Sequence, residues 1–272
     1  LTQEMFGLEG RVAVITGGCG MLGQQFASAL IGQGARVVSL DVVSEPRVAL
    51  EEWQEFRKNG KLLTLEANIT SRTQLESALK TIEKHWETPS ILVNNAAIDA
   101  PPNAPAAENG PFESYPESSL DKSLAVNIKG TWLCCQVFGG AMAKRKFGSV
   151  INIASTYGIG SPVQDIYEYK RRNGETWFKP ATYATTKAAV LNLTRYLATY
   201  WAKQGVRVNT LTPAGIFNHQ DDEFLAEYTR RVPMGRMAHP NEMNGALVFL
   251  ASNAASYVTG SNLVVDGGWT AW

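Results

Sequence analysis

The sequence predicts an α/β fold: one doubly wound, Rossmann-like parallel sheet of about seven strands with helices on both faces. Three observations carry this expectation. Short β-rich runs alternate with longer helical patterns along the whole chain, a glycine-rich turn closes the first run, and neither a linker nor an internal repeat breaks the order.

Val12 to Thr16 reads as the first strand. Gly20 to Gln33 carries Leu22, Phe26, Leu30 and Ile31 as a helical stripe, and Gly34 ends it before a second strand at Arg36 to Leu40. Further strands are expected at Leu62 to Leu65, Ile91 to Asn94, Val150 to Ala154, Val206 to Leu211 and Leu263 to Val265. The helices between them are expected at Pro46 to Asn59, Ser71 to Trp86, Ser119 to Lys144, Ala181 to Gln204 and Pro240 to Ser252. Two segments break the rhythm. Asp99 to Glu117, rich in Pro, Ala and Asn, is expected to be a long loop, and Gly158 to Pro180 mixes aromatics with charges.

At 272 residues, 44% of them hydrophobic, the chain can close one large core and is expected to form a single domain. Lys plus Arg equals Asp plus Glu at 25 each, so no global field favours nucleic acid or an anionic membrane, and a small molecule is the better partner. Cys19, Cys134 and Cys135 form neither a disulfide framework nor a Cys-x-x-Cys spacing, which suits a reducing cytosol. His85, His219 and His239 are too scattered for a metal site. No apolar run approaches the roughly 20 residues a membrane span needs, and Leu1 to Arg11 lacks a secretory signal pattern, so a cytoplasmic location is expected.

Chemistry enters at Tyr183-Ala-Thr-Thr-Lys187. Of nine tyrosines, no other has a lysine four positions on. On a helix these positions share a face, so an ammonium beside the phenol would favour the phenolate and bring down a pKa of about 10. An ordinary exposed pair is the alternative. Thr16-Gly17-Gly18-Cys19-Gly20-Met21-Leu22-Gly23 lies where strand turns into helix, so backbone amides can meet a pyrophosphate; a purely structural βα corner is the alternative. Asp41, 18 residues beyond Gly23, can accept from both adenosine ribose hydroxyls and would repel a 2′-phosphate, which favours NAD(H) over NADP(H); a helix cap is its plainer reading.

With the glycine turn at Thr16 to Gly23, Asn94-Asn95-Ala96-Ala97, Asn127, Ser155, Tyr183-x-x-x-Lys187, Tyr257-Val258-Thr259-Gly260 and Val265-Asp266-Gly267-Gly268, the chain closely resembles the short-chain dehydrogenase/reductase family over nearly its whole length. Sugar and polyol dehydrogenases and 3-oxoacyl reductases are the members it is similar to. The resemblance implies nicotinamide-dependent oxidation of a secondary alcohol or reduction of a ketone, with Tyr183 exchanging the proton. Lys187 would lower the tyrosine pKa and hold the nicotinamide ribose, Ser155 would hydrogen-bond the substrate oxygen, and Asn127 would fix a relaying water. It further implies cofactor contacts at Gly17, Cys19, Gly20, Met21, Leu22 and Gly23, at Asn68 and Ile69 beside the adenine, at Asn95, Ala96 and Ala97, and at Pro213, Gly215 and Ile216 near the nicotinamide. A homotetramer is implied as well.

The chain departs from the family at Ala97, where glycine is usual, and in Pro213-Ala214-Gly215-Ile216, which is followed by His219 and Gln220 where a threonine is common. Ser155 and Tyr183 lie 28 positions apart, roughly twice the usual gap. The resemblance therefore implies one catalytic domain over residues 1–272 with a substrate-loop insertion at about 160–180, which starts and ends beside two catalytic candidates. Gln164, Tyr167 and Trp177 from it, with Tyr157 and His219, are the substrate-facing candidates, and aromatic faces beside polar groups suit a sugar, a sugar acid or a related polar substrate. Lys170-Arg171-Arg172 suggests a carboxylate or phosphate partner. Packing on a neighbouring subunit, or simple solvation, is the alternative for the whole insertion. A 3-oxoacyl thioester reductase and a non-catalytic nucleotide-binding protein are the rival functions. Trp269 and Trp272 are expected to be buried, at an interface or against the chain's own core.

Overall fold

All five residues of Val12–Thr16 are buried, as are all four of Ile91–Asn94 and all six of Gly148–Ile153. Strands covered on both faces need such continuous runs, and a parallel sheet is the arrangement that covers them. In the computed structural model, which describes residues 2–99 and 106–272, seven strands build one parallel sheet. They are β1 (Val12–Thr16), β2 (Arg36–Asp41), β3 (Leu62–Glu66), β4 (Ile91–Asn94), β5 (Gly148–Ile153), β6 (Val206–Pro213) and β7 (Asn262–Val265). Their order is β3-β2-β1-β4-β5-β6-β7. The chain therefore winds outward in both directions from the β1/β4 boundary, and a crevice opens there at the carboxyl ends of the strands. Thr16 pairs with Asn94, and Asn94 with Asn152, so Gly17, Asn95 and Ser155 emerge side by side.

The helices are α1 (Thr2–Phe6), α2 (Met21–Gly32), α3 (Trp53–Lys58), α4 (Arg72–His85), α5 (a continuous run over 117–145), α6 (Glu168–Arg172), α7 (Ala181–Trp201), α8 (Asp222–Thr229) and α9 (Asn244–Ala251). Two stretches of α5, Leu124–Gly130 and Cys135–Gly139, widen to i→i+5 turns. Alternation along the strands sends Ala13 and Ile15 to one core, with Phe26, Leu30 and Leu250. It sends Val12 and Val14 to the other, with Leu75, Phe138 and Trp201. A third cluster joins Ile166 and Tyr167 of the insertion to Tyr228, Val232 and Met237.

Three expectations change. The helix expected from Pro46 begins only at Trp53, because the Gln24 side chain donates to the Val48 carbonyl (3.0 Å) and accepts from the Leu50 amide (2.9 Å), holding 48–50 off helical geometry. Helix α8 has no counterpart among the expected helices, though Asp221 caps it by accepting from the Phe224 amide (2.8 Å) and Asp222 and Glu223 lie in its first turn. The expected loop from Asp99 to Glu117 contains short 3₁₀ turns at Ala106–Asn109 and Phe112–Ser114 and ends in α5, while 100–105 lie outside the described residues. No helix among the described residues is long and apolar enough to cross a membrane.

Candidate active site

Gly17 leaves β1 with φ of +63°, a conformation open to glycine, and a Cβ there would stand 2.9 Å from the Ala96 Cα. A Cβ on Gly23 would stand 2.2 Å from the Gly17 carbonyl oxygen, so this residue packs the first turn of α2 onto the glycine corner. Gly20 caps α2 without a side-chain bond, leaving the helix N-terminus to offer its amides to an anion. In front lies a cleft of about 640 Å³, lined by Gly17, Gly20, Met21, Leu22, Asp41 and, from the neighbouring loops, by Asn68, Ile69, Asn95, Ala96 and Ala97. Cys19 opens on an adjoining space beside Asp41.

Asp41 is not a helix cap. It ends β2, far from α3, and its two carboxylate oxygens accept from the Cys19 amide (3.0 Å) and the Val42 amide (2.7 Å). Each oxygen retains a lone pair for a ribose hydroxyl. Asn95 ties β4 to β1: its side-chain nitrogen donates to the Thr16 and Gly17 carbonyls, both at 3.1 Å, so its amide braces the corner. Asn68 closes a turn by accepting from the Thr70 amide and hydroxyl, both at 2.9 Å. The donors and the shape of this cleft fit a dinucleotide: a glycine cradle that a side chain would fill, an open helix N-terminus and a carboxylate at the far end.

Met21, Leu22, Asn95 and Ala97 also line a second space of about 400 Å³, so the two form one passage. Here stand Ser155, Tyr183 and Lys187, with Pro213, Gly215 and Ile216 opposite. Ser155 follows β5 and is buried; its hydroxyl accepts from the Tyr157 amide (3.2 Å), and it lines the same space as the Tyr183 phenol. Lys187, 4% exposed one turn along α7, donates to the Ile153 carbonyl (2.7 Å) with Nζ 5.6 Å from the Tyr183 ring centre. Burial pulls its pKa down to about 8, against the opposing influence of Asp99.

The phenol departs from the sequence expectation. Burial, joined by the charge of Asp99, pushes the Tyr183 pKa well above its ordinary value, and what pulls it the other way is the Ser155 hydroxyl. The physical reason is that desolvation penalises both ionised partners, while Lys187 directs its hydrogen bond to a backbone carbonyl. Asn127 sits in the first wide turn of α5. Its side chain accepts from the Ile98 amide (2.8 Å) and donates to the Ile98 carbonyl (2.9 Å) and the Thr186 hydroxyl (3.1 Å). It thus staples the chain after β4 to α7.

The substrate candidates separate. Tyr157 and Tyr167 both line the catalytic space. Trp177 lies behind, its ring centre 4.0 Å from that of Tyr167. Gln164 faces an outer groove of about 880 Å³ and clamps Lys179, donating to its carbonyl (3.0 Å) and accepting from its amide (2.9 Å). His219, at φ +55°, turns to the space beside Cys19 and Arg47 instead of Tyr183, because the left-handed backbone carries it past the cleft. Arg172 of the basic run is exposed, and its other two cations are engaged internally: Arg171 pairs with Glu168 (2.6 Å) and donates to the Trp177 and Gln164 carbonyls, and Lys170 pairs with Glu175 (3.7 Å). Neither cation lines the catalytic space.

Sequence reasoning misses Asp99, Lys179 and Tyr228, all lining that space. Tyr228 accepts from the Gly215 amide (2.6 Å) and stacks on Trp269 at 4.6 Å between centres, so Trp269 is held by its own chain while Trp272 is 81% exposed. Lys179 precedes Tyr183 by the same four residues by which Lys187 follows it, the one signal that marks it. Among the described residues no cluster of His, Cys, Asp and Glu could hold a metal ion.

A family model described as enoyl-(acyl carrier protein) reductase matches residues 20–270. The chain is 33% identical to the ribulose-forming D-arabinitol 2-dehydrogenase of Candida tropicalis over 98% of its own length and 95% of that protein's. A short-chain dehydrogenase of Leptospira borgpetersenii solved with bound NAD+ superposes with a TM-score of 0.84 at 31% identity, covering 97% of this chain and 94% of that one. A gluconate 5-dehydrogenase of Burkholderia cenocepacia, solved with NADP and tartrate, gives 0.85 at 28% identity with 100% of both chains covered. A family model matched over residues 20–270 and a relative 33% identical over 98% of the chain have one meaning: the chain belongs to the short-chain dehydrogenase/reductase family and is an oxidoreductase.

Proposed function

We propose that this enzyme transfers a hydride between NAD(H) and a secondary alcohol or ketone carbon of a polyhydroxylated substrate, a sugar, sugar acid or polyol. The observation that carries this reading is the lining of the catalytic space: Tyr157, Tyr167, Tyr228, Asn218 and Gln220 line it together with Ser155 and Tyr183. These groups keep donor or acceptor capacity beyond their internal partners, Gly215 for Tyr228 and Ile216 for Gln220, and several substrate hydroxyls can use it at once. The D-arabinitol and gluconate enzymes among its relatives support the same class.

When bound, the nicotinamide supplies the hydride donor or acceptor. Tyr183 takes the alcohol proton at its phenol oxygen in oxidation and returns it in reduction. Ser155 holds the substrate oxygen against that phenol, and Lys187 steadies the ribose and the developing phenolate. Asn127 keeps Ile98 and Thr186 in register, and with them the two walls of the site. Asp41 supports a preference for NAD(H), since a 2′-phosphate would meet its carboxylate. We place residues 1–272 in one catalytic domain of a cytoplasmic homotetramer; the exposed Trp272 supports an interface at the C-terminus, and the three buried free cysteines suit a reducing compartment.

A panel of polyols, sugars, sugar acids, 3-oxoacyl thioesters and steroids, assayed with NAD+ or NADH, tests the class. Turnover of polyhydroxylated compounds is expected. Activity confined to thioesters or steroids overturns the reading, and equal kcat/KM with NADP+ overturns the cofactor preference.

A further inference from the structure

Three charged side chains line the catalytic space among the described residues: Asp99, Lys179 and Lys187. Lys187 is buried under Tyr183 and bonded to the Ile153 carbonyl. The other two form an ion pair, Lys179 Nζ on Asp99 Oδ2, with the Lys179 ammonium 5.2 Å from the Tyr183 ring centre. The Lys179 side chain is 10% exposed and that of Asp99 36%, so the pair is sheltered but reachable from the cleft.

Both members stand on braced backbone. Asn127 grips the amide and the carbonyl of Ile98, the residue before Asp99. Gln164 grips the amide and the carbonyl of Lys179 itself. Two carboxamides from different segments thus make the same two-point clamp, one for each half of the pair. Groups fixed this way before substrate arrives lose little freedom on binding.

The pair has a chemical consequence. An ammonium has three donors, so after meeting Asp99 the Lys179 side chain can still donate to a substrate's hydroxyls. A substrate carboxylate, by contrast, meets a cation already neutralised and an anion that repels it. The other cations of the insertion do not line the space: Lys170 and Arg171 are engaged with Glu175 and Glu168, and Arg172 is exposed.

We propose that the Asp99–Lys179 ion pair is the specificity determinant of this site, selecting an uncharged polyol over the corresponding aldonate. The inference rests on the dehydrogenase reading above and narrows its substrate class.

The test compares kcat/KM for arabinitol and for arabinonate, two compounds of one carbon skeleton, with NAD+ in the wild type and in Asp99→Asn; NADH binding, followed by its fluorescence, reports that the fold survives. The wild type is expected to favour arabinitol. Asp99→Asn, which leaves Lys179 without its anion, is expected to raise the arabinonate-to-arabinitol ratio about tenfold or more. The reciprocal Lys179→Gln is expected to lower that ratio further, and it decides the matter should Asp99→Asn fail to bind NADH. A ratio unmoved in a variant that still binds NADH overturns the inference, as does a wild type that oxidises arabinonate as well as arabinitol; both results leave the dehydrogenase reading standing. A wild type that oxidises neither compound and reduces 3-oxoacyl thioesters removes the reading and the inference together.

Discussion

Around Gly17 to Gly23 the walls of the passage are backbone, while around Tyr183 they are side chains gathered from distant segments. At the dinucleotide end one turn, one helix N-terminus and one strand-end carboxylate lie within a short stretch of chain, from β1 to the end of β2. At the substrate end Ser155, Tyr167, Lys179, Gln220 and Tyr228 come from the end of β5, the insertion and the region around α8. A backbone cradle tolerates little change of shape but is indifferent to most side chains. A side-chain wall can be rewritten residue by residue, which is how one scaffold accepts many alcohols.

The sharpest way to separate the two ends is to remove chemistry without touching the cradle. Tyr183→Phe is expected to lower kcat by about 10³-fold while leaving the NADH dissociation constant within about threefold, as read by steady-state assays and fluorescence titration. Loss of both together would mean the ends are not independent. The converse variant, Gly23→Val, drives a side chain into the Gly17 carbonyl and is expected to weaken NADH binding about 100-fold, with a lower thermal midpoint.

Within the dinucleotide end, Asp41→Asn is expected to raise the NADP+ to NAD+ ratio of kcat/KM about tenfold; an unchanged ratio would remove the carboxylate from cofactor choice.

Lys187 belongs to both ends, and its burial sets a sign for stability against pH. Its pKa falls to about 8 in the fold from an ordinary 10.5, so between these values the unfolded chain holds the proton more often than the folded one. Stability attributable to this group therefore rises as pH climbs from about 8 toward 10.5, by on the order of 1 kcal/mol per pH unit. Urea midpoints of the wild type should gain on those of Lys187→Met across that window, and parallel curves would contradict it. The smallest change is expected from Gln164→Ala, which frees the backbone of Lys179: KM for the polyol should rise about threefold with kcat nearly constant.

Local features are legible in the amino-acid order. The apolar runs of β1 and β4, the glycine corner and the i,i+4 pair of Tyr183 and Lys187 each depend on residues close in sequence, where periodicity and turn chemistry act directly. The residues whose roles are not legible are of a different kind. Proximity to the nicotinamide loop points His219 toward the substrate, but one left-handed residue turns it away. The basic run resembles an anion site in one dimension, yet in three Glu168, Glu175 and two backbone carbonyls engage its Lys170 and Arg171. Gln164 has the chemistry of a substrate contact and acts as a backbone clamp.

By itself, then, the order of residues determined the strands, the winding of the sheet and the place where a dinucleotide and a phenol meet, because those follow from short-range pattern and from the rules of parallel sheets. Only the tertiary structure decided which charges stay available in the catalytic space. Asp99 and Lys179 are 80 residues apart, and nothing local to either announces the other; their pairing exists because β4 and the start of α7 deliver them to the same crevice, where a largely buried ammonium needs a counter-charge and the more exposed carboxylate supplies it.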